Sequence, residues 1–270
     1  KIRRPGIDNT GTADCIAIGG SSIEADGYSL IGNTCDHRNK DEKQCWVITL
    51  ASDTPRGIIS GNRCYMPLNA SVMFGLTLDA GDPIVVGNYF EGGLDAMSVG
   101  STAGHRTIIS GNIIVKPKQD GIRASFSLSA QVTSVLHNLV DGAGRYGVNV
   151  DCNGGTCTVD VQNNILINAG TACLRGLSAI ATHKNNDLWN CAIPYMVNAT
   201  ATTADSSTLY GNPDFVGDTY SSDTGRYMLK SSSSLKGAGI KGGRFYGFNC
   251  APDSWYPAVG PWQFCGGTPR

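Results

Sequence analysis

Charge is scarce in this chain. Of its 270 residues only 16% are charged, Lys+Arg 21 against Asp+Glu 22, giving a net charge of -1 with no long run of either sign. A nucleic-acid binder needs a basic stripe to neutralise phosphates, so that partner class is excluded, as is a polybasic membrane anchor. No uncharged apolar stretch approaches the roughly 18 residues that span a bilayer, which excludes membrane insertion by a helix. Histidine is rare too, at four residues, none of them at metal-ligand spacing, which argues against zinc. Calcium has Asp79, Asp82 and loop carbonyls to draw on, but neither an EF-hand nor a Gly-rich nonapeptide repeat supports it, so no cofactor is expected. No apolar h-region follows Lys1–Pro5, so the start does not read as a signal peptide and the chain reads as a mature or excised part of something longer.

What the chain does have is turns, thiols and a repeat. Its 35 glycines imply many turns and few exposed helices, and its 10 cysteines favour an oxidising compartment, buried free thiols being the other use of so many. The fragment ISGN occurs at Ile59–Asn62 and again at Ile109–Asn112, with relatives ending at Asn33, Asn88, Asn138, Asn164 and Asn186. From Asn33 to Asn186 the spacings are 29, 26, 24, 26, 26 and 22 residues. Three residues before each Asn stand Leu30, Ile59, Val85, Ile109, Val135, Val161 and His183; two after stand Cys35, Cys64, Phe90, Ile114, Val140, Leu166 and Leu188. Columns of this kind mean that each coil sets an equivalent side chain over the one before it, about 4.8 Å away. The asparagines fall at bends, where the side chain tolerates a left-handed backbone and can bond to the backbone or to its stacked neighbour.

A second strand recurs between the asparagines: Trp46–Leu50, Gly75–Leu78, Ala96–Val99, Gly121–Ala124 and Gly147–Val150. Period-two alternation turns Ile48/Leu50, Leu76/Leu78, Met97/Val99, Ile122/Ala124 and Val148/Val150 inward. One coil cannot bury that face by itself, so stacking supplies the core. The expected fold is all-β, a right-handed parallel β-helix, with coils over residues 1–199 and a loop-rich capping segment over 200–270. An antiparallel sandwich is the competing reading, but sandwiches repeat their turns at shorter spacing.

The ladder from Asn33 to Asn186 resembles the pectate-lyase-like superfamily of right-handed β-helices, which includes polysaccharide lyases, polygalacturonase-type hydrolases, epimerases and phage tailspikes. Asn212-Pro-Asp-Phe215, Tyr227-Met-Leu229, Ser234 and Gly237-Ala-Gly239 are similar to the closing motif of secreted members. Ala13-Asp-Cys-Ile-Ala-Ile-Gly19 is similar to a polygalacturonase stretch, but Ala13 replaces its first aspartate and the Gly-His-Gly and Arg-Ile-Lys elements are absent. Polygalacturonase catalysis is therefore not carried onto Asp14. The Trp-Ile-Asp-His type of signature of calcium-dependent pectate lyases is missing as well.

The resemblance implies lyase or glycosidase chemistry on an acidic polysaccharide at the outer wall, in a secreted or virion-attached monomer or homotrimer. The alternative is a non-catalytic binding or structural module, such as a tailspike or adhesin shaft, because the fold fixes no chemistry. The outward column reads Thr49, Thr77, Ser98, Arg123 and Asn149, and the next contains Asp79, Ser125 and Asp151. Before the small residues Gly75, Ala96, Gly121 and Gly147 stand Phe74, Asp95, Asp120 and Tyr146, together describing a shallow groove that suits a sugar chain. Asp95 and Asp120, one coil apart, suit a two-carboxylate arrangement in which repulsion raises one pKa towards a general acid; equally, both suit turn-capping. Arg123 is the catalytic cation of the lyase reading, with Lys116, Lys118 and Arg145 as further cations and His137 in the repeat; its plainer reading is a surface arginine bonded to Asp151 or Asp79. Phe74, Asp79, Lys118, Arg145, Tyr146 and Asp151 are the expected substrate contacts.

Cys35 and Cys64 share a ladder position, as an inter-coil disulfide or as stacked thiols. Cys152 with Cys157 and Cys250 with Cys265 bracket loops that a disulfide would close. Asn69-Ala-Ser71 and Asn198-Ala-Thr200 match N-glycosylation sequons. Trp255, Tyr256, Trp262 and Phe264 cluster near the end, either as part of the cap or as a carbohydrate-stacking surface.

Overall fold

A computed structural model describes residues 15–19, 28–39, 44–49, 57–71, 74–79, 82–101, 106–126, 131–152, 157–178, 180, 182–217, 225–236 and 238, and the backbone of 255–256 and 264–265. The Ala13–Asp14 and Gly239 positions, His105, Trp262, and the side chains of Cys152, Cys157, Cys250, Cys265, Trp255, Tyr256 and Phe264 lie outside the described residues.

The chain winds into a parallel β-solenoid with three walls. Wall A has nine strands: Ile16–Gly19, Trp46–Thr49, Phe74–Asp79, Asp95–Ser101, Ile122–Phe126, Tyr146–Cys152, Ala172–Gly176, Ile193–Val197 and the antiparallel Thr200–Ala201. Wall B has seven, from Ser29–Ile31 to Thr182–Lys184, and wall C seven, from Thr34–Asp36 to Asp187–Trp189. Every other pair in the three walls is parallel and joins equivalent segments of neighbouring coils, as the repeat requires.

The columns emerge in the expected register. Leu30, Ile59, Val85, Ile109, Val135 and Val161 line wall B from inside, and Cys35, Cys64, Phe90, Ile114, Val140, Leu166 and Leu188 line wall C, all buried in one core with Leu76, Met97, Ile122 and Val148 of wall A. Each of these long side chains contributes roughly 1.5–3 kcal/mol by leaving water. His183 remains half-buried, its ring 4.5 Å from that of Tyr195.

Between walls B and C runs the asparagine ladder. The amide nitrogen of Asn62 donates to Oδ1 of Asn88 at 2.9 Å, and the same contact links Asn88 to Asn112, Asn112 to Asn138, Asn138 to Asn164 and Asn164 to Asn186 at 2.9–3.1 Å. The second amide hydrogen goes back to a main-chain carbonyl of the preceding coil, Leu30 for Asn62 and Val85 for Asn112. Each Oδ1 also accepts the main-chain N–H of the preceding ladder asparagine. A buried amide thus has all its donors and acceptors used, which is why Asn is repeated there.

Three sequence expectations are corrected. The left-handed residue is not the ladder asparagine but the one before it: Gly61, Gly87 and Gly111 at φ 63°, 64° and 65°, then His137, Asn163 and Asn185 at 55°, 56° and 52°. In the first coils the wall A register is shifted by two residues: Trp46 pairs with Leu76 and Ile48 with Leu78, so Trp46 fills the core beside Ile48, and the expected inward Leu50 lies outside the described residues. Thr49 then aligns with Asp79, and Val47, not Thr49, precedes Thr77 in the outward column. Alternation is kept, with Trp46 fully buried and edge-on to Phe90 at 5.6 Å. Finally, Cys35 and Cys64 do stack, but each is bonded elsewhere, as Cys15–Cys35 and Cys45–Cys64. A third disulfide joins Cys173 to Cys191.

Outside wall C lies a second apolar cluster. Tyr89, Ile113, Val115, Leu139, Ile165 and Ile167 project outward and are covered by Tyr227, Leu229 and Leu235, with Phe215 packed against them. Phe215 bridges to Leu229 and packs edge-on against Tyr227 at 5.4 Å, so the Asn212–Phe215 and Tyr227–Leu229 motifs meet each other. Trp255–Tyr256 and Phe264–Cys265 pair as a short antiparallel ribbon. Among the described residues no helix is long and apolar enough to cross a membrane.

Candidate functional site

The outward column of wall A runs Thr77, Ser98, Arg123, Asn149 and Arg175, one residue per coil. Beside it, Phe74 pairs with Asp95 and Tyr146 with Ala172, with Asp120 on the coil between them. The small residues that separate these columns are not the floor of a groove. A Cβ at Gly147 would stand 2.5 Å from the carbonyl oxygen of Cys173, and one at Gly75 equally close to that of Ala96. They are small because the next coil's backbone passes over them.

Asp95 and Asp120 come together as expected, but both are fully buried. The main-chain N–H of Asp120 donates to Oδ1 of Asp95 at 3.0 Å. Arg145 grips Asp120 with two hydrogen bonds, Nε at 2.8 Å and Nη2 at 2.7 Å, and Asn149 adds a third at 2.8 Å. Such a fork-to-fork pair is among the strongest side-chain contacts available, and it holds the Arg145 guanidinium above its already high pKa. Asp95 is less well served. Its Oδ2 has no hydrogen-bond partner, and the nearest cation is Nη1 of Arg123 at 3.8 Å. Burial therefore pushes the Asp95 carboxyl up, the Asp120 N–H and the arginine charges offsetting only part of that cost.

Arg123 is thus paired with Asp95, not with the expected Asp151 or Asp79. Asp79 is exposed at the end of its strand, and Asp151, whose Oδ1 is buried without a partner, lies one outward column away. Lys118 is exposed on the turn before Asp120, its ammonium 3.4 Å from the Asn69 carbonyl. Lys116, in a left-handed turn, is exposed as well. His137 stands at the corner of walls B and C, next to Asn163, well away from this column. Phe74 and Tyr146 are half-buried at its edge.

The residue missed in the sequence is Arg175. Its Nη1 donates to Oδ1 of Asn149 at 2.7 Å, and its guanidinium and that of Arg145 lie over the Tyr146 ring at 5.3 and 5.0 Å. Extending the column by one coil beyond Asn149 would have found it. Arg123, Arg145 and Arg175 therefore form a patch over two sunken carboxylates, with Arg123 and Arg145 about two-fifths exposed. Its chemistry is that of an anion-recognising surface: fixed guanidinium forks, an aromatic edge and hydroxyl-bearing neighbours at Thr77 and Ser98. For metals, the single candidate cluster among the described residues is Cys15, Cys35 and His37, and both of its sulfurs are committed to a disulfide.

Set against known protein families, characterised proteins and solved structures, the chain matches none. The fold defines the class, a disulfide-bonded parallel β-solenoid.

Proposed function

We propose that the protein handles an acidic polysaccharide laid along wall A, outside the cytosol, in a secreted or virion-attached setting. The observation that carries this reading is the spacing of Arg123, Asn149 and Arg175 up one column, with Arg145 beside them. Strand stacking puts Arg123 and Arg175 roughly 9–10 Å apart, a span comparable to two sugar rings, so successive uronate carboxylates can meet successive guanidiniums. The three disulfides among the described residues fit an oxidising compartment.

Of the two reactions implied by the resemblance to pectate-lyase-like solenoids, elimination suits this wall better than double displacement. A nucleophilic carboxylate must reach the sugar, and Asp120 is sealed beneath Arg145 and Asn149. Charge neutralisation of a uronate by Arg123 and Arg175 is the step of elimination that these residues favour. The second reading is a non-catalytic binding module, and it draws on the same fact, since every described cation in the column already has a protein partner.

A panel of acidic and neutral polysaccharides tests both. Retention of uronate polymers that weakens with salt, together with new absorbance near 235 nm, is the expected result. Retention without new absorbance or reducing ends selects the binding module. Indifference to all acidic polymers overturns the reading.

A further inference from the structure

At the last coil of wall C, Asp187 occupies the outward column directly after Leu139 and Ile165. An aspartate there has no apolar company of its own kind, yet it is fully buried. What buries it is the segment that follows the coils. Leu209 bridges to Asp187 as an added parallel strand; the N–H of Leu188 donates to the Leu209 carbonyl at 2.9 Å and that of Leu209 to the Asn186 carbonyl at 2.8 Å. The N–H of Gly211 donates to Oδ1 of Asp187 at 3.1 Å, and Oδ2 has no partner.

We propose that the strand around Leu209 is a pH-gated latch on the end of wall C, closed over a neutral Asp187 carboxyl and loosened when that carboxyl ionises. The charged and titratable groups on the surrounding elements are His183, Lys184 and Asp205 on the wall B side, Asp141 on wall C, Tyr210 on the latch itself, and Asp214, Arg226, Tyr227, Lys230 and Lys236 on the covering segment. None of them bonds to Asp187; Asp205 receives Ser207, Asp141 receives Tyr227, and Asp214 holds Lys230. Nothing therefore offsets the cost of a buried charge except the Gly211 N–H, and burial raises the carboxyl from 3.8 to about 7.

The sign follows from linkage. A lifted carboxyl binds its proton more tightly in the closed form than in the open one, so the closed form is favoured fully at acid pH. Opening releases the proton between about pH 4 and about pH 7, the two ends of the shift, and over that window the opening constant rises by up to roughly tenfold per pH unit before levelling off. The other contacts of the latch involve amides and hydroxyls, such as Asn185 N–H to Ser207 Oγ at 2.9 Å, or groups on the wall B side, such as Asp205 N–H to His183 Nε2 at 3.2 Å.

Hydrogen exchange of the Leu188 and Leu209 amides, corrected for the intrinsic pH dependence of exchange, measures latch opening directly. Protection in the wild type is expected to fall steeply from pH 4.5 to 7 and to flatten above. In Asp187→Asn the profile is expected to lose that fall, and Asp187→Leu, which restores the apolar column, checks that the effect is titration and not a lost hydrogen bond. A pH-independent wild-type profile, a rise in protection with pH, or an unchanged profile in both variants overturns the proposal.

Discussion

On wall A, Asp120 gives up all contact with water and receives in exchange both arms of Arg145 and the amide of Asn149. On wall C, Asp187 gives up as much and receives a single N–H from Gly211. Both sites place an acid where the solenoid normally puts an apolar or uncharged side chain, yet the first faces a guanidinium and the second has no charged partner. Asp95 stands between them, buried like both, with one oxygen bonded and the other facing Arg123 at 3.8 Å. The difference lies in what the neighbouring segment carries: the turn of the next coil brings Arg145 back over Asp120, whereas the Leu209 segment brings Asp187 only the Gly211 N–H.

The largest effect that would break this comparison is expected from Arg145→Ala. It strands a buried Asp120 charge, and removing one partner of a buried pair costs about 3–5 kcal/mol. Urea unfolding at pH 7 should show that loss, and Arg145→Lys, which lacks the fork, should recover only part of it. A loss under about 1 kcal/mol would mean that Asp120 is not held as an ion.

Next in size is the ladder at the corner of walls B and C. Asn112→Ala removes the acceptor for the Asn88 main-chain N–H and amide and the donors to Val85 and Asn138. Each buried group left without a partner costs about 1–3 kcal/mol, so a total near 3 kcal/mol is expected from the same unfolding experiment. The ladder end, Asn33, is less buried and, among the described residues, meets a ladder asparagine on one side only, so Asn33→Ala should cost about 1 kcal/mol.

The ladder is also the part of the molecule most plainly written in the sequence. Its spacing gives the coil length, and the apolar residues at three before and two after each Asn name the inner faces of walls B and C, because stacking repeats one environment per coil. The first wall A strands were misread by two residues because Trp46, Ile48 and Leu50 are all apolar at the same parity, so alternation alone does not say which two stand beside Leu76 and Leu78. The candidate site was half legible. Arg123 stood out against Ser98 and Asn149, and Asp95 and Asp120 were rightly paired, but nothing in the linear order tells that Arg145, 25 residues on, reaches back to Asp120. The Asp187 setting was hidden for a similar reason, since its cover comes from Leu209 and Gly211, past the end of the repeat.

A smaller effect sharpens the wall C side. Asp187→Leu should stabilise the protein more at pH 8, where the native form carries the cost of burying the ionised carboxyl, than below pH 4, where that carboxyl is already neutral. Thermal melts at the two pH values separate this from a general packing gain, which would appear at both.

The smallest expected effect on stability comes from Arg123→Ala, and it is also the most direct probe of wall A as a binding surface. Arg123 is about two-fifths exposed and its contact with Asp95 is 3.8 Å, so its loss should change unfolding free energy by no more than about 0.5 kcal/mol. The Asp95 carboxyl, whose ionised form Arg123 helps to support, should move further up, and carbonyl infrared or carboxyl chemical shifts would register it. If wall A takes an acidic polymer, retention on a uronate matrix should weaken by roughly tenfold, the value of one charged hydrogen bond near 1.4 kcal/mol, and the salt dependence should become shallower because one fewer cation meets the polymer. Arg175→Ala should act in the same direction, whereas Lys118→Ala, a change on the turn outside the column, should leave retention within twofold. Equal losses from Lys118→Ala and Arg123→Ala would mean that the polymer senses only overall charge, and the ordered column of guanidiniums would then have no special part in recognition.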